Sequence, residues 1–225
     1  MRIMVVRSSE PGCEPKCAEW ISAEGDIVLA SAELLRKVVN SLGGRKMPIL
    51  IHSGGGLRYQ AMLMGTLIRE RGLDVAVART VFDPCANGPG GCKQETWSGP
   101  LGEPQSQLAS CYSACTLVLA GGVRRFVGPE ARVGIHNVRL NPPIVERWRK
   151  TYRGTLPVDT VIQRSFVPAI AVYDRIYFIK LGISEEIVDL MISTPASDMR
   201  TLSEAELLQL GLATELKDAR AVVYP

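Results

Sequence analysis

The stretch from Met47 to Ala78 constrains the fold more than any other. Met47-Pro48-Ile49-Leu50-Ile51-His52 is a continuous apolar run, as expected of a strand buried on both faces. Ser53-Gly54-Gly55-Gly56 follows at once. Leu57 to Arg71 then carries helical periodicity, Gly72 ends it, and Leu73 to Ala78 is a second strand-like run. Strand, glycine turn, helix and strand in this order make one unit of a parallel sheet, which places the chain in the α/β class. The glycines let backbone amides approach a ligand atom closely. A phosphate-binding turn fails on detail: Tyr59 stands where G-x-G-x-x-G needs its third glycine, and no Gly-Lys-Ser/Thr follows. Amides presented to a carbonyl oxygen are the remaining functional assignment.

A second stretch carries chemistry. Small and polar residues run into Ser113, and Ala114 to Ala120 is apolar nearly all round, so it predicts a short buried helix closed by Gly121-Gly122. Ser113 then sits at a helix start, where free N–H groups and the dipole favour negative charge. An oxyanion forming beside a serine oxygen needs that environment. An ordinary N-cap serine is the alternative. Serine attack also needs a base, and the chain offers only His52 and His136. His136 ends the strand-like run from Arg132, after Arg124 to Val127 and the Gly128-Pro129 turn.

Composition excludes several classes. The 225 residues are 46% hydrophobic and 22% charged, ordinary for one large domain or one domain with appendages. A net charge of +3 is too small to argue for nucleic acid. No apolar run approaches the roughly 20 residues of a membrane span, and Met1 to Arg7 is too short and broken for a signal peptide. The six cysteines form three close pairs in sequence: Cys13 and Cys17, Cys85 and Cys92, Cys111 and Cys115. The even count permits a disulfide framework of open connectivity, and no C-x-x-C pair suggests zinc or thioredoxin-like chemistry. Cys111 and Cys115 also fit two small buried helical residues. Cys85 and Cys92 would pin their loop, with Cys111 as one available partner. This cysteine usage favours an oxidising, exported setting over the cytoplasm.

Around these stretches, Arg2 to Arg7 predicts a strand, Trp20 to Ile27 a strand pair or bend, and Ser31 to Leu42 a helix capped by Ser31. Thr80 to Leu108 is a long Gly/Pro-rich loop. Asn137 to Leu156 is irregular and basic, with Arg139, Arg147, Arg149, Lys150 and Arg153 around Trp148 and Tyr152. That cluster fits a solvated face or subunit contact, or else an anionic ligand or membrane surface. Val158 to Lys180, Ser184 to Ser193 and Ser203 to Leu210 predict helices, and Ala213 to Leu216 a last strand.

Taken together these motifs resemble the ClpP-like serine peptidases of the crotonase-type fold, closest to a divergent bacterial branch of which some members look exported. Ile51-His52-Ser53-Gly54-Gly55-Gly56 is similar to that family's oxyanion turn. Ser113-Ala114-Cys115 with Ala120-Gly121-Gly122 is similar to its nucleophile helix. Arg124 to Pro129 followed by Ala131 to His136 is similar to its Arg-rich strand, proline turn and catalytic histidine. The resemblance spans about residues 47–137, with a weaker echo at Leu202 to Leu212. It implies stacked β-β-α units with a C-terminal helical segment, in a single domain over 1–225. Within that domain it implies a core of about 18–217, an inserted loop at 80–108 and a handle-like segment at 137–157. It implies Ser113 as nucleophile, His136 as general base, and the Ala114 and Gly55 N–H groups as oxyanion hole with Gly56 beside them. The family's acid register falls on Arg200; Asp198, two residues away, is the nearest carboxylate and Asp189 the reserve. His52 replaces a family asparagine and takes no catalytic role. No metal or organic cofactor is implied. A peptide or other acyl substrate, a homo-oligomer and an ATP-driven unfoldase partner follow from the same resemblance. The competing functions are an inactive binding or assembly module, a crotonase-type acyl-CoA enzyme, and a cysteine nucleophile at Cys111 or Cys115.

Overall fold

The computed structural model describes residues 1–83, 97–138 and 142–224. Cys85, Cys92 and Arg139 lie outside them. Its larger sheet has seven strands: β1 (Arg2–Ser8), β2 (Glu19–Glu24), β3 (Ile49–His52), β4 (Val75–Val77), β5 (Arg79–Phe82), β6 (Leu101–Gln105) and, beyond the shorter β7 (Ser110–Tyr112), β8 (Arg125–Val127). Their spatial order is β5-β6-β1-β2-β3-β4-β8, and β2, β3, β4 and β8 run parallel. A second sheet of three strands has the order β10 (Arg200–Thr201), β9 (Arg132–Ile135), β7.

The apolar run at Ile49–His52 is a strand covered on both sides. Ile49 and Ile51 belong to one buried cluster and Leu50 to another, and Val75 and Val77 separate from Ala76 in the same way. The first cluster is closed by α1 (Ser31–Ser41), α2 (Arg58–Arg71) and α3 (Cys115–Ala120). The second gathers Trp20, Leu50 and Phe126 under a short C-terminal helix of Arg220–Val223, whose Val222 and Val223 are buried. Between α3 and that helix lie α4 (Pro142–Thr151), α5 (Val158–Val161), a π-helical turn at Ile162–Phe166, α6 (Val167–Lys180), α7 (Glu186–Ser193) and α8 (Glu204–Gln209). The C-terminal helix is thus α9.

Four expectations need correction. The ends of the 80–108 segment are strands, not loop: β5 and β6 pair antiparallel at the sheet edge, and the buried Trp20 indole donates to Thr80 Oγ1 at 3.0 Å. The basic stretch after Asn137 contains the helix α4, since its prolines occupy the first helical positions, where a missing N–H costs nothing. Ser31 does not cap α1: its hydroxyl accepts the Val28 N–H, and Ala30 holds the N-cap position. The last strand at Ala213 to Leu216 reduces to one bridge, Phe126 to Glu215. Ser203 does cap α8, in a capping box with Glu206.

The helix that follows Ser113 is seated by close glycine contact. A side chain added at Gly121 would overlap the Gly65 backbone, and one added at Gly65 would overlap the Leu117 carbonyl. Thus α2 and α3 approach to backbone distance. The Arg69 guanidinium then caps the end of α3, donating to the Ala120, Gly121 and Gly122 carbonyls at 3.0–3.1 Å and to Leu181 of the α6 terminus. Tyr177 on α6 donates its hydroxyl to the Leu117 carbonyl at 2.7 Å, and burial pushes its phenol well above the ordinary tyrosine range. Overpacking the glycine contact is the direct test: Gly121→Ala lowers the unfolding free energy by about 2 kcal/mol in urea titration.

Candidate active site

Three parallel strand ends build the site. β7 runs parallel to β9, with Cys111 opposite Val133 and Tyr112 opposite Gly134. Ser53, just past β3, bridges Cys111 in the parallel sense, and its N–H donates to the Ser110 carbonyl at 2.8 Å. The glycine turn after β3, Ser113 after β7 and His136 after β9 therefore emerge at the same end. Carboxyl ends of parallel strands are where such folds collect their ligands.

Ser113 is not an N-cap. Ala114 holds that position on α3 without a side-chain cap bond. The serine has φ 55°, in the left-handed region that residues with a side chain rarely occupy. Its N–H donates to the Gly134 carbonyl at 2.9 Å, and its own carbonyl accepts from Thr116 Oγ1 at 2.8 Å. Held so, Ser113 Oγ lies 2.7 Å from His136 Nε2. Both residues are half-buried.

The glycine turn packs on the serine. Gly55 is buried at φ 108°, and a Cβ there would lie 2.8 Å from both Ser113 Cβ and the Tyr112 carbonyl. Its N–H, expected in the oxyanion hole, is taken by Ser53 Oγ at 3.1 Å. Gly56 is exposed at φ 134°. Among the described hydrogen bonds none uses the Ala114 N–H, next to the serine, or the Gly56 N–H, next to Gly55. Ser53 is a residue that sequence reasoning missed; a serine leading straight into a glycine turn, two residues before Gly55, is a local signal for this bond.

The far side of the His136 ring, at Nδ1, has no acceptor among the described residues. For Nε2 to accept the serine proton, this buried atom carries the ring proton. The expected Asp198–His136 bond is not formed: Asp198 is exposed and its Oδ1 accepts the Met199 N–H at 2.7 Å. The reserve, Asp189, is exposed and ion-paired with Arg175 at 2.5 Å, which holds its carboxyl below the ordinary range. The β9–β10 ladder stops short of Asp198: Arg200 pairs Ile135 and Thr201 pairs Gly134, while the Asn137 N–H goes to the Thr194 carbonyl at 2.9 Å. His52 is a polar strand-end residue, its Nδ1 accepting the Ser110 N–H at 3.0 Å.

Cysteine chemistry takes another course than a nucleophile requires. Cys111 and Cys115 form a disulfide and are fully buried, so neither offers a thiolate. A pairing of Cys111 with Cys85 or Cys92 is likewise replaced by the bond to Cys115. Cys13 and Cys17 form a second disulfide in the β1–β2 connection. No group of three His, Cys, Asp or Glu side chains suited to a metal occurs among the described residues, and no described helix is long and apolar enough to cross a membrane.

Two cavities are lined by chain neighbours of the pair, Asn137 in one and Tyr112 in the other. One, of about 390 Å³, lies between α6 and α7 and is lined by Asn137, Val167, Pro168, Ala171, Val172 and Ile192, with Arg175 beside them. The other, of about 450 Å³, involves Leu108, Ser110, Tyr112, Pro129, Glu130 and Arg132 on the outer side of β7 and β9.

This chain is similar in structure to a mutant form of a "1510-N membrane-bound stomatin-specific protease", at 16% sequence identity and a TM-score of 0.52, with 89% of this chain and 79% of that one covered. The fold is ClpP-like. In all, 344 chains of solved structures match, so the fold by itself selects no chemistry. No family model matches the sequence, and no curated protein does. Function has to be argued from the site.

The glycine contact gives a prediction at the site itself. Gly55→Ala forces a methyl against Ser113 in a backbone conformation that alanine resists, so the serine is displaced from His136. The rate of Ser113 labelling by a fluorophosphonate falls about 100-fold in protein that still melts cooperatively.

Proposed function

We propose that this protein is a serine peptidase or related acyl hydrolase. The 2.7 Å contact between Ser113 Oγ and His136 Nε2 carries the proposal, because it is within reach for proton transfer before any substrate arrives. An inactive module has no need of such a contact, and a crotonase-type acyl-CoA enzyme does not need a preformed Ser–His pair.

In this scheme His136 takes the hydroxyl proton as Ser113 Oγ attacks the acyl carbon. The Ala114 and Gly56 N–H groups receive the oxyanion, with Gly55 supporting the serine from behind. Collapse of the tetrahedral species expels the amine or alcohol with the proton from His136, leaving an ester on Ser113. Water, deprotonated by the same imidazole, then releases the acid. Asp198 completes the set by turning from the Met199 N–H to His136 Nδ1, orienting the ring and offsetting the charge it gains. The apolar cavity beside Asn137 receives an apolar side chain or acyl group of the substrate.

Fluorophosphonate labelling followed by peptide mapping tests the scheme. Ser113 is the labelled residue; Ser113→Ala abolishes labelling and His136→Ala slows it about 1,000-fold. Absence of labelling in folded wild-type protein refutes the hydrolase reading and favours the binding module, to which the unpartnered Nδ1 already lends support.

The acid is tested separately. Asp198→Asn slows labelling at least about tenfold while Asp189→Asn leaves it unchanged. Equal rates for Asp198→Asn and wild type would mean that Ser113 and His136 act as a dyad.

A further inference from the structure

We infer that the Cys111–Cys115 disulfide is a positioning device for the nucleophile, and that the site is assembled only in the oxidised protein. The inference rests on Ser113 being the nucleophile. Ser113 is the middle residue of the five-residue loop that this bond closes, with Cα atoms 5.1 Å apart at its ends. Each end is fixed independently. Cys111 is in the β7 ladder, opposite Val133 and bridged to Ser53, and Cys115 is the first residue of α3. Between those anchors the chain must reverse in three residues, and it does so by putting Ser113 at φ 55°.

Without the bond, that unfavourable conformation is held by non-covalent contacts alone: the Ser113 N–H to Gly134, its carbonyl to Thr116, its Oγ with His136, and the packing of Gly55. A return of φ to negative values would swing Oγ off Nε2 and turn the Ala114 N–H away from the oxyanion position. The bond serves global stability poorly by comparison, because a crosslink over so short a loop removes little chain entropy from the unfolded state. Its effect falls on the loop it closes.

Both sulfur atoms belong to fully buried residues, so the bond forms as the chain folds. With glutathione disulfide as oxidant, one cysteine thiolate displaces a glutathione thiolate, and the second cysteine displaces the other. Two protein thiols become one S–S bond, and the two electrons and two protons leave on two molecules of glutathione.

The test compares wild type, Cys111→Ala/Cys115→Ala and, as control, Cys13→Ala/Cys17→Ala, whose bond spans the same four-residue separation away from the site. Fluorophosphonate labelling is measured as separate inactivation and binding constants. The Cys111/Cys115 double variant is expected to melt cooperatively, to lose about 10- to 100-fold in the inactivation constant, and to change little in binding. The control keeps the wild-type rate. Wild type refolded in excess thiol shows the slow rate, and glutathione disulfide added during refolding restores the fast one, which a packing defect in the alanine variant would not reproduce. An unchanged inactivation constant in the double variant, or an equal loss in the control, overturns the inference. If the double variant does not fold, the two refolded wild-type samples decide: equal rates overturn it. If wild type is not labelled, the hydrolase reading has failed, and amide exchange across 113–116 decides. Faster exchange there in the reduced protein, without a general increase, upholds the positioning role, and unchanged exchange overturns it.

Discussion

Everything at the site depends on the parallel backbone contact that runs from Ser53 to Cys111 to Val133. It joins the two sheets. It also aligns three strand ends, so that residues as far apart in sequence as Ser53 and His136 arrive together. Parallel strands all point their carboxyl ends the same way, and one residue past each end is enough to bring a glycine turn, a serine and a histidine into one place. No side chain chooses this convergence. The hydrogen-bonded register does, and the side chains then differ only in what chemistry they bring.

Ser113 is held at the cost of local strain, and the surrounding structure offsets it in layers. The nearest is covalent, the disulfide across Ser113. Next is the glycine contact between α2 and α3, which fixes the helix that the serine leads into. Behind these, charged and polar groups anchor the helix to its neighbours: Arg69 on the terminal carbonyls of α3, and Tyr177 reaching Leu117 from α6. Arg125 adds a further tie, donating to the Gly122 and Gly211 carbonyls, and burial lowers its guanidinium to about 10. A second cation, the half-buried Arg58, opens α2 one residue after the glycine turn and pairs with Asp174 of α6. α2, which follows the glycine turn, and α3, which follows Ser113, are thus braced against the same helix, α6.

Local pattern in the sequence accounts for the sheet and its helices well. The Met47 to Ala78 unit is legible because an unbroken apolar run, a glycine turn and a periodic helix each have a local cause. Ser113, His136 and the turn could be found for the same reason. What sequence missed was set at long range. Arg200–Thr201 becomes a strand only because β9 offers it an edge. The ends of the 80–108 segment become strands because Trp20 and Glu24 await Thr80, whose N–H meets Glu24 at 2.6 Å. The pairing of Cys111 with Cys115 hung on one being in a strand and the other in a helix, which spacing alone does not decide. Assigning both to a helix would have separated the pair from the serine's geometry altogether.

The position of the acid shows where geometry and chemistry part. A buried imidazole N–H with no acceptor is costly, and the cost rises sharply when the ring takes a second proton during catalysis. Asp198 lies on the turn that leads into β10, the strand paired with β9. Its present partner is the amide of its own neighbour, Met199, a bond that an exposed carboxylate can exchange for water at little loss. In the proposed scheme the imidazole gains charge as it takes the serine proton, and that is the step at which an inward Asp198 would matter most. Under the proposed scheme, an exposed Asp198 and a preformed Ser113–His136 contact make a resting arrangement whose last contact forms only as the reaction creates charge.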